Sequence, residues 1–119
     1  MKGRLDADDT PLLEFEISEA GQAHEVVIDT GFNDYLYLPE NLVTAWALPF
    51  VMSGSVELAD GSVIIADLYE AHLNWLGRAV RVSVLAGPPA GDSLLGMKLL
   101  AGCRIELDEQ TREVRVESL

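Results

Sequence analysis

The chain is poor in cysteine, in histidine and in positive charge. Its 119 residues include one cysteine, Cys103, so no intrachain disulfide can form. That usage fits a reducing compartment. A lone cysteine is usually a small hydrophobe, and nothing marks His24 or His72 as a base that would turn it into a nucleophile. The two histidines stand far apart, and the chain has no HExxH pattern, no paired-cysteine signature and no glycine-rich phosphate loop. No metal and no cofactor are therefore expected. Eight Lys and Arg stand against 20 Asp and Glu, a formal charge of −12. Nucleic acid wants a basic face, and so does an anionic membrane surface, so neither is an expected partner. The N-terminal "MKGRLDADDT" has no apolar signal core, and no apolar run approaches the ~20 residues that span a bilayer. The expectation is a cytoplasmic protein kept soluble by its acidity.

What is present suits one domain, residues 1–119, with residues 1–11 expected to be a flexible acidic lead. Half the residues are apolar, and a chain of this size buries somewhat over ~60% of its unfolded surface. A core can form without disulfides or metal. "LLEFEIS" (Leu12 to Ser18) alternates apolar and acidic residues, the pattern of a half-buried strand. "HEVVI" becomes apolar on both faces and reads as a central strand. "YLYLP" predicts a third strand, and "PENLVTAWAL" (Pro39 to Leu48) a short helix with Pro at its first position. "SGSVEL" and "SVIIADLYEAHL" flank Asp60-Gly61, a two-residue hairpin signal of type I′. "RAVRVSVL" (Arg78 to Leu85) is another strand, whose Arg78 and Arg81 are expected to face solvent or pair with acids. "MKLLAG" predicts one or two helical turns closed by Gly102. "CRIEL" and "REVRVES" make a last hairpin. Short strands with turns every eight to twelve residues imply a mostly antiparallel barrel or sandwich.

One short segment stands out. In "VVIDTGFNDYLYLP" (Val26 to Pro39) an apolar strand runs directly into Asp29, with Gly31 two residues on. A solvated turn capped by the aspartate explains this. So does a carboxylate held at the end of a buried strand for chemistry.

The setting of Asp29-Thr30-Gly31 resembles the single-domain retropepsin-like aspartic proteases, over Leu12 to about Asp108. The likeness rests on "VVIDTG" as the catalytic loop, "VELADGSV" (Val56 to Val63) as the flap, and "SLLGMKLLAG" as the apolar-apolar-glycine segment entering a helix. It implies a closed antiparallel β-barrel with one or two short helices. It implies peptide hydrolysis by two carboxylates that share a proton, one taking a proton from water and the other polarising the carbonyl. One chain carries one such aspartate, so the family's pattern implies a symmetric homodimer. Asp29 of each chain would form the pair, Thr30 would bond across the interface, and Gly31 would direct its N–H to the carboxylate. Ala59, Asp60 and Gly61 would form the flap tip over an extended peptide or protein substrate. Phe32 departs from the small residue usual in retroviral members, and as a bulky ring it would line a pocket, enter the core or obstruct the pair. Met97 and Lys98 also depart, and bear on substrate class. Two other readings stand beside an endopeptidase: a catalytically weak dimer that grips an extended peptide by strand pairing, and a plain acidic β domain in which Asp29 caps a turn.

Overall fold

The computed structural model describes residues 1–57 and 60–119. Ten strands form one sheet: β1 (Lys2–Leu5), β2 (Pro11–Ile17), β3 (Gln22–Ile28), β4 (Leu36–Pro39), β5 (Phe50–Glu57), β6 (Val63–Trp75), β7 (Arg78–Gly87), β8 (Leu94–Leu95), β9 (Cys103–Asp108) and β10 (Glu113–Ser118). Among the described residues two short α-helices, α1 (Glu40–Ala45) and α2 (Met97–Leu100), and one 3-10 turn (Ser18–Ala20) interrupt them. The spatial order is β5-β6-β7-β4-β8-β3-β2-β1-β10-β9. The sheet curls until the end of β2 meets β6 at the single pair Ile17–Leu73. Pairing is antiparallel except between β3 and β8 and between β4 and β7, which are parallel.

The pleat explains what each strand buries. Successive side chains point to opposite faces, so Leu13, Phe15 and Ile17 of β2 enter the core while Glu14 and Glu16 stay in water. Val26 and Ile28 of β3, Leu36 and Leu38 of β4, and Val114 and Val116 of β10 are buried in the same way. The core lies inside the curl and joins all of these in one cluster. β3 sits between β2 and β8, the central place its two-faced apolar run requires.

Several expectations need correction. Residues 2–5 of the expected flexible lead are strand: β1 pairs with both β2 and β10, and the Met1 ammonium donates to the Val116 carbonyl at 2.6 Å. Pro39 ends β4 and stands at the N-cap of α1 instead of its first turn, and the helix stops at Ala45. Trp46 and Ala47 then donate to the Leu42 and Thr44 carbonyls, and Ala47 takes a positive φ of 51°, which turns the chain off the helix axis. β5 and β6 form the hairpin expected around Asp60-Gly61, with Glu57–Val63 as its last described pair; the expected two-residue turn falls partly on residues 58 and 59, outside the described residues.

The buried side chains make a direct test. Leu36→Ala removes a fully buried side chain at the centre of the sheet, and should cost about 2–5 kcal/mol in urea unfolding. Leu107→Ala, at a position that is 56% exposed, should change stability by no more than about 0.5 kcal/mol.

Candidate functional site

Asp29 follows the last residue of β3, at the rim of the core. Its backbone N–H donates to the Leu95 carbonyl of β8 at 2.9 Å, so the loop hangs from a strand contributed by the far end of the chain. Its side chain turns back on the loop: Oδ1 accepts the Gly31 N–H at 2.9 Å. A Cβ on residue 31 would sit 3.2 Å from that oxygen, so a larger residue there would push the carboxylate by a few tenths of an ångström. The Asp29 carbonyl accepts the Phe32 N–H at 3.2 Å and closes the turn. Thr30 is exposed.

Phe32 is half-buried. Its ring stands edge-on to Tyr37 at 6.1 Å and lies over Gly96. The loop is cradled there by α2: the Met97 N–H donates to the Phe32 carbonyl at 2.8 Å and the Lys98 N–H to the Asp34 carbonyl at 3.2 Å. A Cβ at Gly96 would meet the Asp34 carbonyl oxygen at 2.1 Å and the Phe32 ring at 2.6 Å. Only glycine lets the loop sit this close.

Across from the loop stands the β5–β6 hairpin. Gly31, Phe32, Asn33 and Asp34 form one wall of a cleft of about 440 Å³, and Ser55, Val56 and Glu57 form the other. Of the residues singled out from the sequence, Gly31 and Phe32 line this cleft, while Asp29, Thr30, Asp60 and Gly61 do not. Ala59 lies outside the described residues. Asp60 accepts the N–H and hydroxyl of Ser62, and these hold its carboxyl below the usual range. Gly61 takes a positive φ of 86° with open space around it. The hairpin carries large apolar side chains into water: Val63 is 65% exposed, Ile65 81% and Phe50 59%.

Gly96 is the glycine of the apolar-apolar-glycine segment, but its contact with Phe32 and Asp34, and the His24–Ser93 pair, have no signal in the sequence. His24 Nε2 lies 2.8 Å from the Ser93 hydroxyl, and Ser93 is the one buried polar residue among those described. The His24 ring also meets Trp46 edge-on at 5.0 Å. The Ser93 carbonyl accepts the Val27 N–H at 2.8 Å, so this contact helps seat β8 against β3 just below Asp29. Burial holds the His24 imidazole below its ordinary value, against the weaker opposing pull of Glu25. Among the described residues no group of three or more His, Cys, Asp or Glu could hold a metal ion, and no helix is long and apolar enough to cross a membrane.

No protein-family model matches the chain, and no curated protein matches it. Among solved structures it is similar to a retropepsin-like aspartic protease from Rickettsia conorii, with a TM-score of 0.68 over 99% of this chain and 89% of that one. Identity between the two is 15%, so the likeness is one of fold.

Two measurements probe how the site is held. Gly96→Ala should cost roughly 1–3 kcal/mol by overpacking, and should shift the amide resonances of Phe32 to Asp34 more than those of β9 and β10. His24 has a lowered folded value, so below about pH 6.5 the unfolded chain takes up a proton there before the folded chain does. Its contribution to stability is therefore full above that pH and fades as pH falls toward the lowered value. His24→Gln should flatten the loss of stability between about pH 7 and about pH 5 relative to wild type, read by urea unfolding at each pH.

Proposed function

We propose that the protein is a homodimeric aspartic endopeptidase in which Asp29 of each of two chains forms the catalytic pair. The observation that carries this reading is the Asp29-Thr30-Gly31 loop itself. It is hung from β8, cradled by α2 at Gly96, and faced across a cleft by a projecting hairpin. The fold shared with a retropepsin-like aspartic protease supports it. In this reading the curled sheet, joined at Ile17–Leu73, works as a closed barrel.

The chemistry follows from two carboxylates brought together. Like charges a few ångströms apart cannot both ionise, so the pair retains a proton. The ionised member takes a proton from water as it attacks the peptide carbonyl. The protonated member polarises that carbonyl, and the leaving amine is protonated as the bond breaks. Gly31 keeps its N–H on the Asp29 carboxylate, which fixes the side chain's direction. In this reading Thr30, which is exposed, bonds across the two-fold axis. The apolar hairpin residues Phe50, Val63 and Ile65 gain a covering when an extended peptide or protein substrate, or the partner chain, closes on them. Phe32 lines the substrate cleft, and the hairpin tip at Ala59, Asp60 and Gly61 closes over the peptide. A reducing, cytoplasmic setting suits Cys103, the chain's one free thiol.

Asp29→Asn tests the proposal. The amide keeps size and fold but can neither share the proton nor take one from water. Cleavage of an unfolded protein substrate should fall by about three orders of magnitude or more. Sedimentation at several concentrations should show the wild type associating, and Asp29→Asn, which leaves the fold intact, should associate as well. A variant that cleaves at the wild-type rate, or a wild type that stays monomeric throughout, overturns the reading. A wild-type dimer that binds the peptide without cleaving it leaves a binding module.

A further inference from the structure

Half of β7 has only one neighbour. β6 pairs with it along Arg78–Leu85 on one edge. β4 takes the other edge only from Val84 to Gly87. Among the described residues no strand pairs with that second edge along residues 78–83. A strand directs the N–H and C=O of alternate residues to each edge, so this stretch offers donors and acceptors to an added strand.

A cleft of about 350 Å³ lies along the open edge, with α2 and the start of β9 as its far wall. Three cations line it: Arg78, Arg81 and Lys98. None of the lining residues is Asp or Glu, although the chain holds 20 acids and only eight Lys and Arg. A wall of this size drawn at random from such a chain would carry more acids than bases.

These cations are under-used. Arg78 makes no ion pair and no side-chain hydrogen bond among the described residues. Arg81 Nε stands 3.9 Å from Glu70, and Lys98 Nζ 3.7 Å from Asp34. Exposed pairs this long contribute little. Elsewhere the chain spends its bases differently: Arg4 grips Glu25 through two nitrogens at 2.9 and 3.0 Å, and Arg112 holds Asp9 and Glu109. Arg78 and Arg81 are three apart on one strand, so they reach the edge from opposite faces. An added strand alternates too, and a run of consecutive acids would meet cations on both sides. Tyr35, over which Lys98 sits at 5.6 Å, and the buried Trp75 line the same cleft.

We propose that this cleft docks an extended acidic peptide, which adds to the open edge of β7 as a short strand and sets its carboxylates against Arg78, Arg81 and Lys98. Backbone pairing supplies the geometry. Charge supplies the selection, through forked guanidinium–carboxylate contacts that a neutral peptide lacks. The site is independent of what Asp29 does.

The test is fluorescence anisotropy with a labelled Glu-rich peptide and a Gln-rich peptide of equal length, at low and moderate salt. The Glu-rich peptide should bind saturably, at least about tenfold tighter than the Gln-rich one, and weaken with salt. Arg78→Gln with Arg81→Gln should lose about tenfold or more, with melting temperature as the folding control. Arg104→Gln, an exposed cation outside the cleft, should change nothing. Hydrogen exchange should slow at residues 78–83 when the Glu-rich peptide is present. Equal binding of the two peptides, or affinity untouched by the double variant, overturns the proposal. So does full competition by inorganic phosphate with no slowing at 78–83, which would mark a bare anion site. Self-association of the wild type that the double variant abolishes without any peptide would assign the edge to a second copy instead.

Discussion

A strand of two residues holds the site together. Leu94 and Leu95 pair in parallel with Val27 and Ile28 on one side and antiparallel with Tyr37 and Leu36 on the other. Leu95 is fully buried, and its carbonyl accepts the Asp29 N–H. The next residue, Gly96, donates to the Tyr35 carbonyl and lets α2 close under Phe32 and Asp34. Without β8 the ends of β3 and β4 would face each other with unpaired backbone groups, at a cost comparable to lost hydrogen bonds. The loop between them would then have nothing to fix its shape. The pieces joined here are some sixty residues apart in sequence, so the site forms only when the chain closes a long loop, an ordering cost that must be met before the contacts repay it.

The same loop separates two clefts of opposite character. Asp34 lines the cleft under the hairpin, with Glu57 across from it. Its ion-pair partner Lys98 lines the cleft along β7. Bases gather behind the loop and acids in front of it, inside a chain that is acidic overall. Long-range repulsion from the net charge is screened over about 8 Å at physiological salt. Local composition therefore decides what each cleft attracts at contact.

Local pattern made the strands legible and partner geometry hid the rest. The alternation of Leu13, Phe15 and Ile17 with Glu14 and Glu16 fixes β2 by itself, and the two-faced run at Val26–Ile28 places β3 inside the sheet. β1 has no such signature: Gly3 and Arg4 are strand because β2 and β10 pair with them on both sides. β8 is too short to show a period, and the two parallel pairings depend on which distant strands meet. The β5–β6 hairpin is legible at Asp60-Gly61, but the contact of Ser62 with the Asp60 carboxylate is one that dipeptide preference does not encode. At the site, Asp29, Gly31 and the glycine after Leu94–Leu95 can be read as letters. That Gly96 lies under Phe32, that His24 reaches Ser93, and that Arg78, Arg81 and Lys98 share a wall are facts of the fold, because each joins residues distant in sequence.

One carboxylate cannot be both proton acceptor and proton donor in the same step. A single chain carries one Asp-Thr-Gly loop, so the proposed chemistry requires association of chains that repel one another. In that proposal the opposing force would come from the hairpin. Phe50, Met52, Val63 and Ile65 are each more than half exposed, and full burial of a side chain of this kind is worth about 1.5–3 kcal/mol. A few of them covered by a partner or a substrate can outweigh surface charges that salt already screens. The exposed hairpin would then be what makes a second aspartate available: a chain that buried these residues on itself would keep its loop, its cradle and its cleft, and would have no driving force to complete the pair.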